Sequence, residues 1–199
     1  MIVSLEEAVA RLARGELVAY PTETVYALGA DAFTPRALDS LLDAKGRAGD
    51  RGLSVLIRDA AALAEHARPM PDVARRLAAR FWPGPLTLVV AVSDARFGAV
   101  ATPLGVGFRC SPQASAAALA RAAPAPVVST SCNKSGEPPC TTAAEVASCF
   151  GDRLPVLGGE PATGLAPSTV VSIAADGALR LLRAGALDFA ELEAAAQRR

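Results

Sequence analysis

Three short polar stretches carry the side chains of this 199-residue chain whose types and spacing suit chemistry. The first sets Lys45, Arg47 and Arg51 among Gly46, Gly49 and Gly52. Glycines let a backbone bring its N–H groups close to a ligand, and clustered cations supply the countercharge that phosphate or carboxylate oxygens require, so this stretch suits an anion. Taken alone it suits a solvated loop equally well. The second is the turn Ser131-Cys132-Asn133-Lys134-Ser135-Gly136, which follows directly on the apolar run Pro126-Val127-Val128-Ser129-Thr130. The third, Thr22-Glu23-Thr24, follows a β-prone segment that stops at Pro21. Several common chemistries are absent from this set. There is no Gly-x-x-x-x-Gly-Lys-Ser/Thr phosphate loop and no Gly-x-Gly-x-x-Gly after a strand. A Ser-His-Asp hydrolase would have to use His66, the single histidine, which falls in an Ala-rich helix and reads as a helix-surface residue. Cys132 has no second histidine to activate it and reads as a small packing residue. Hydroxyls, amides and fixed cations remain. They suit reactions that depend on positioning and charge neutralisation, of which phosphoryl-type transfer is one.

The elements that must position these groups alternate in type. Ser4 with Glu7 predicts a capped helix closing at Gly15, and residues 16–20 predict a strand. Thr34 followed by Pro35 predicts a helix that ends at the Lys45 loop. Residues 53–57 predict a strand, with two Ala-rich helices opened by Asp59 and Asp72. Phe81-Trp82-Pro83-Gly84-Pro85 breaks the helical pattern, and Leu86–Val92 predicts a central strand. Residues 106–109 predict another strand, followed by a helix from Ser111-Pro112 to Arg121. Residues 126–130 predict one short strand leading into the Ser131 turn. Thr142 with Glu145 predicts a second capping box, residues 154–157, 168–173 and 179–183 predict strands, and Asp188 caps a last helix. Strands alternating with helices indicate an α/β fold, in which ligands tend to sit beyond strand ends. A single domain over residues 1–199 is expected.

Hydrophobic residues make up 51% of the chain and charged residues 20%, a globular composition. A net charge of +0 argues against gripping nucleic acid through bulk basicity, though a local basic stripe stays open. Cys110, Cys132, Cys140 and Cys149 form no Cys-x-x-Cys pair, so no protein-held metal is expected and the thiols read as reduced. The N-terminus lacks a basic segment followed by an apolar run, and no apolar stretch reaches the roughly 18 residues of a membrane span. A cytoplasmic location without membrane contact is expected.

Read together, the motifs carry a resemblance. Tyr20-Pro21-Thr22-Glu23-Thr24-Val25-Tyr26-Ala27-Leu28-Gly29, Lys45-x-Arg47, Phe81-Trp82-Pro83-Gly84-Pro85-Leu86-Thr87, Ser129 to Gly136, Pro167-Ser168-Thr169-Val170-Val171 and Leu182-Arg183-Ala184-Gly185 occur in this order. The whole set resembles the YrdC/TsaC family. The resemblance implies a YrdC-like α/β domain, a twisted mixed sheet flanked by helices around a concave, positively charged cleft. It implies synthesis of L-threonylcarbamoyladenylate and pyrophosphate from L-threonine, bicarbonate and ATP, a nucleotidyltransferase reaction serving threonylcarbamoyladenosine in tRNA. It also implies Mg²⁺ carried with ATP. By position, Lys45, Arg47, Ser131 and Asn133 match the family's catalytic and ATP-binding motifs. Arg51, Arg109, Thr141 and Arg183 match further ATP contacts, while Thr24 and Ser168 match contacts to threonine. Departures fall at Ala27, Ala48, Cys132 and Ala184, and the short, single-domain form is expected, without the additional C-terminal domain of longer members. Contacts to tRNA or to later tRNA-modification proteins remain open. The alternative is a module that binds double-stranded RNA or tRNA in the cationic cleft without chemistry.

Overall fold

The computed structural model describes residues 1–46, 53–67, 69–160, 162 and 166–197. Helices begin where the sequence supplies a cap or a proline. Ser4 accepts a hydrogen bond from the Glu7 amide at the head of α1 (Leu5–Ala13), which buries Ala8 and Leu12. Pro35 opens α2 (Pro35–Lys45), where a missing N–H costs nothing, and Gly46 closes it at φ 64°, a left-handed conformation that suits glycine. Asp59 caps α3 (Ala60–His66) through the Ala62 amide. α4 (Asp72–Phe81) begins at Asp72 itself, with Pro71 in the cap position. α5 (Ala114–Ala122) starts three residues beyond Ser111, because the Gln113 side chain, capping the Ala114 amide, sets the first turn. The Thr142–Glu145 pair forms a reciprocal capping box on α6 (Ala143–Phe150). α7 (Phe189–Gln197) closes the series.

The strands are β1 (Ile2–Val3), β2 (Val18–Pro21), β3 (Tyr26–Gly29), β4 (Ser54–Leu56), β5 (Leu86–Val90), β6 (Val106–Arg109), β7 (Val127–Val128), β8 (Thr130–Ser131), β9 (Val156–Leu157), β10 (Thr169–Ile173) and β11 (Leu179–Arg183). They form two mixed sheets, ordered β1-β9-β2-β3-β8 and β11-β10-β5-β6-β4-β7. β5 lies inside the second sheet, parallel to β10 and antiparallel to β6, as its apolar run predicts. The strand expected over residues 126–130 divides between the sheets. The Ser129 amide bonds Ser54 O at 2.7 Å on the β4 side, while the Cys132 amide bonds Tyr26 O at 2.8 Å on the β3 side. Ser129 is therefore the step from one sheet to the other.

α1 and α5 pack on each other and on β2, while α4 and α7 pack together with α4 against β5. Leu12, Val18, Tyr20, Leu56, Leu119 and Val127 fill the core under α1 and α5. A larger core gathers Leu28, Leu41, Leu63, Leu77, Leu88, Phe97 and Phe108. His66 departs from the helix-surface expectation. Its ring stacks on Phe108 at 5.9 Å and meets the edge of Phe97 at 5.1 Å, two buried rings that offer the imidazole a flat face and an edge. Partial burial holds its pKa below the usual imidazole value.

Candidate functional site

A cavity of about 880 Å³ opens where the ends of α2, β6, β8 and β11 come near one another. On one side stands Lys45. Lys45 is the last residue of α2, and only 4% of it is exposed. A buried ammonium needs its donors filled. Its Nζ donates to Ser131 O at 2.5 Å, Asn133 O at 3.0 Å and Asn133 Oδ1 at 3.1 Å. Ser131 Oγ donates to the same Oδ1 at 2.6 Å, and Asn133 Nδ2 donates to Lys134 O and Glu137 O at 2.9 and 2.7 Å. Ser135 N returns to Lys45 O at 2.9 Å. Helix end and turn thus form one cross-linked unit.

The other side rests on β5, β6, β10 and β11. Arg183, at the end of β11, donates through Nη2 to Ser168 O at 2.9 Å and Ser168 Oγ at 3.1 Å. Thr87 Oγ1 lies 2.9 Å from that same hydroxyl. Gly185 makes the approach possible: a Cβ there would stand 2.2 Å from Pro167 O and 2.5 Å from the Ser168 carbonyl carbon. Only glycine lets the chain beyond β11 lie on the Pro167–Ser168 segment. Arg109, at the end of β6, donates through Nη2 to Glu23 Oε1 at 2.6 Å. Ser111 Oγ donates to Glu23 Oε2 at 2.5 Å. Thr22 Oγ1 donates to Val25 O at 2.6 Å and lies 3.1 Å from Thr24 Oγ1, which shapes the turn that presents Glu23 and Thr24.

The electrostatics of this second side are unbalanced. Partial burial lowers the pKa of the Arg183 guanidinium, and the charge of Arg109 lowers it further. Two cations that repel each other across a common space favour an anion between them. Arg109 Nε is buried and has no hydrogen-bond partner among the described residues, and Arg109 lines the cavity. An unfilled buried polar group costs about 1–3 kcal/mol. Such groups mark where a ligand would supply the missing partner. Among the described lining residues the charged ones are Lys45, Arg109, Arg180 and Arg183, with no carboxylate. The same described residues hold no group of three or more His, Cys, Asp or Glu placed to bind a metal ion. The described lining donors of this cavity do not make a site for a resident divalent cation.

Seven of the residues singled out from the sequence meet in this cavity: Thr24, Lys45, Arg109, Ser131, Asn133, Ser168 and Arg183. Arg47 and Arg51 lie outside the described residues. Thr141 does not line the cavity; its amide and hydroxyl both bond Glu145 Oε2, at 2.6 and 3.1 Å, as part of the α6 cap. Ser129 and Glu23 were not singled out. Ser129 had a visible signal in its place at the end of the apolar run, two residues before the Ser131 turn. Cys132 is fully buried, and burial pushes its thiol far above the ordinary range, while neighbouring Cys140 rises to about 11. Neither is a ready nucleophile.

An α/β fold with a hydroxyl-lined, arginine-flanked cavity has the chemistry to suit small anionic ligands. The chain belongs to the Sua5/YciO/YrdC family: the family model, described as telomere recombination, matches residues 10–185. It is 38% identical over 193 residues to the threonylcarbamoyl-AMP synthase of Bacillus subtilis, covering 96% of this chain and 56% of that one. It is 37% identical over 175 residues to the threonylcarbamoyl-AMP synthase of Thiobacillus denitrificans, covering 86% of this chain and 92% of that one. The solved structure of Pyrococcus abyssi Sua5 complexed with L-threonine superposes with a TM-score of 0.87 at 32% identity, over 98% of this chain and 60% of the other. The chain thus spans about half the length of the B. subtilis and P. abyssi relatives it matches. No helix among the described residues is long and apolar enough to cross a membrane.

Proposed function

We propose that this chain is a threonylcarbamoyl-AMP synthase, a nucleotidyltransferase that joins L-threonine, bicarbonate and ATP and releases pyrophosphate. The observation that carries the reading is the gathering of Thr24, Ser129, Ser168, Arg109, Arg183 and the Lys45–Ser131–Asn133 unit around one cavity. The names of its relatives support the choice of ligands.

The threonine amine attacks the bicarbonate carbon, and loss of water leaves a carbamate. A carbamate oxygen then attacks the α-phosphorus of ATP; a P–O bond forms, the bond to the β-phosphate oxygen breaks, and pyrophosphate leaves. Neither step calls for a histidine base. Thr24 and Ser168 orient the amino acid. Lys45, Ser131 and Asn133 orient the nucleotide, with Arg47 and Arg51 as further cations on the phosphates. Arg109 and Arg183 neutralise the anion at the seam between the two substrates, where charge develops in the transition state. Magnesium enters as part of the MgATP substrate, held by phosphate oxygens and water, because the described lining offers it no carboxylate. A concave site shields the labile carbamate and mixed anhydride from water. The product would serve tRNA modification.

Pyrophosphate release from ATP, measured with and without L-threonine and bicarbonate, tests the reading. Release that requires both is the expected result. Release indifferent to threonine, or tRNA binding that falls steeply with salt while ATP and threonine leave no trace, contradicts it.

A further inference from the structure

We infer that Glu23 is a positioning residue that holds the Arg109 guanidinium in register for the reacting anion, and that it ties the two sheets together at the cavity for this purpose. The inference rests on the reaction proposed above. Glu23 sits in the turn between β2 and β3 of one sheet, whereas Arg109 ends β6 of the other. Its two carboxylate oxygens are divided between partners: Oε1 accepts from Arg109 Nη2 at 2.6 Å and Oε2 from Ser111 Oγ at 2.5 Å. Ser111 Oγ in turn accepts from the Gln113 amide at 3.2 Å, at the cap of α5. A fixed backbone N–H therefore orients a hydroxyl, the hydroxyl orients the carboxylate, and the carboxylate orients the guanidinium.

The two charged side chains are well removed from water, 8% exposed for Arg109 and 12% for Glu23. Arginine has many rotamers, and a planar fork held at one nitrogen by a buried carboxylate is pre-organised at the others. Arg109 Nε is left without a partner among the described residues. The carboxylate also offsets one of the two repelling cations, which lets Arg109 and Arg183 stand near each other before any ligand arrives. Thr24 belongs to the same turn, so the residue proposed to touch the amino acid and the residue that fixes Arg109 move as one piece. Glu23 itself does not line the cavity. It acts through Arg109.

A double-mutant cycle tests this, with kcat/KM for L-threonine read from pyrophosphate release in wild type, Glu23→Gln, Arg109→Ala and the double variant. Glu23→Gln should lose on the order of tenfold or more, the scale expected when a catalytic group is misplaced by about 1 Å. In the Arg109→Ala background the same change should cost less than about twofold, since its target is gone. Losses that multiply in the double variant would mean a general structural role and overturn the proposal. Full activity of Glu23→Gln would do the same. Should Glu23→Gln fail to fold, Ser111→Ala keeps the carboxylate and removes one anchor; a smaller loss that also vanishes without Arg109 supports the proposal, and a loss that persists overturns it. A wild-type protein silent with threonine overturns the reaction and this inference together, whereas an active wild type with an additive cycle overturns the inference alone.

Discussion

Lys45 and Arg183 both point a cation at the same cavity, yet their surroundings differ in kind. The Lys45 ammonium meets three oxygens of Ser131 and Asn133, and the turn bonds back to the end of α2. Arg183 leans on Ser168 alone among the described residues, feels the charge of Arg109, and has the unpartnered Arg109 Nε in the same cavity lining. The first side is complete without a ligand and the second is not. A polar network whose members satisfy each other holds shape, and removing one member exposes the rest to desolvation cost. A set of like charges and unfilled donors stores an unfavourable energy that an anion would relieve. Stability and activity should therefore separate between the two sides.

Lys45→Ala tests the complete side and should show the largest effect. It leaves three buried acceptors short of a donor, so unfolding free energy should fall by about 2–4 kcal/mol and turnover by about 10²-fold or more. Denaturant titration alongside pyrophosphate release checks both. A variant as stable as wild type would show that the ammonium does not hold the turn. Arg183→Ala comes next: turnover should fall by about 10²-fold, as for loss of one charge-stabilising donor. Its unfolding free energy should stay within about 0.5 kcal/mol of wild type, because a partly desolvated cation facing another is removed. A large loss of stability would erase the distinction between the sides. Ser129→Ala should raise the threonine KM a fewfold and leave stability within about 1 kcal/mol of wild type, since only a single hydroxyl at the cavity lining beside Tyr20 is removed.

The smallest effect lies outside both sides, at His66. Burial lowers its folded pKa beneath the usual value of 6.5, so the unfolded chain binds more protons near that pH. Asp94 and Glu65 oppose this shift, while Arg58 and Arg96 add to it. The neutral ring's contribution is fully present above about pH 6.5 and is lost as pH falls through the depressed folded value. A His66→Phe variant should flatten that part of the stability-against-pH curve. Activity measured above that range is then free of any pH dependence from this group.

Much of this frame was legible in local chemistry. Ser4, Pro35, Asp59 and the Thr142–Glu145 pair mark helix starts because capping needs only a few neighbouring residues. The apolar run of β5 likewise announces a strand buried on both faces. What stayed hidden depends on partners far along the chain. Nothing local shows that the stretch around Ser129 changes sheets, since the strands that receive it lie far back in the chain, Val55 of β4 beside Val128 and Leu28 of β3 beside Thr130. Residues 26–29 are assigned no element from the sequence, and they become β3 because β8 and β2 pair with them. His66 looked like a surface residue because Phe97 and Phe108 are distant in sequence. The site divides the same way. Lys45, Ser131, Asn133, Ser168 and Arg183 were recognisable by motif order, whereas Glu23 gains its meaning only from Arg109, 86 positions away. Thr141, a motif neighbour, has its amide and hydroxyl in the cap of α6, which motif order alone does not reveal.

The central claim is that this cavity joins three substrates into one adenylate, and isotope transfer reads that event itself. Protein incubated with ATP, L-threonine and carbon-labelled bicarbonate should yield labelled threonylcarbamoyl-AMP, with pyrophosphate in equal amount and no label in the adenylate when threonine is left out. Pyrophosphate formed without label entering an adenylate would contradict the account.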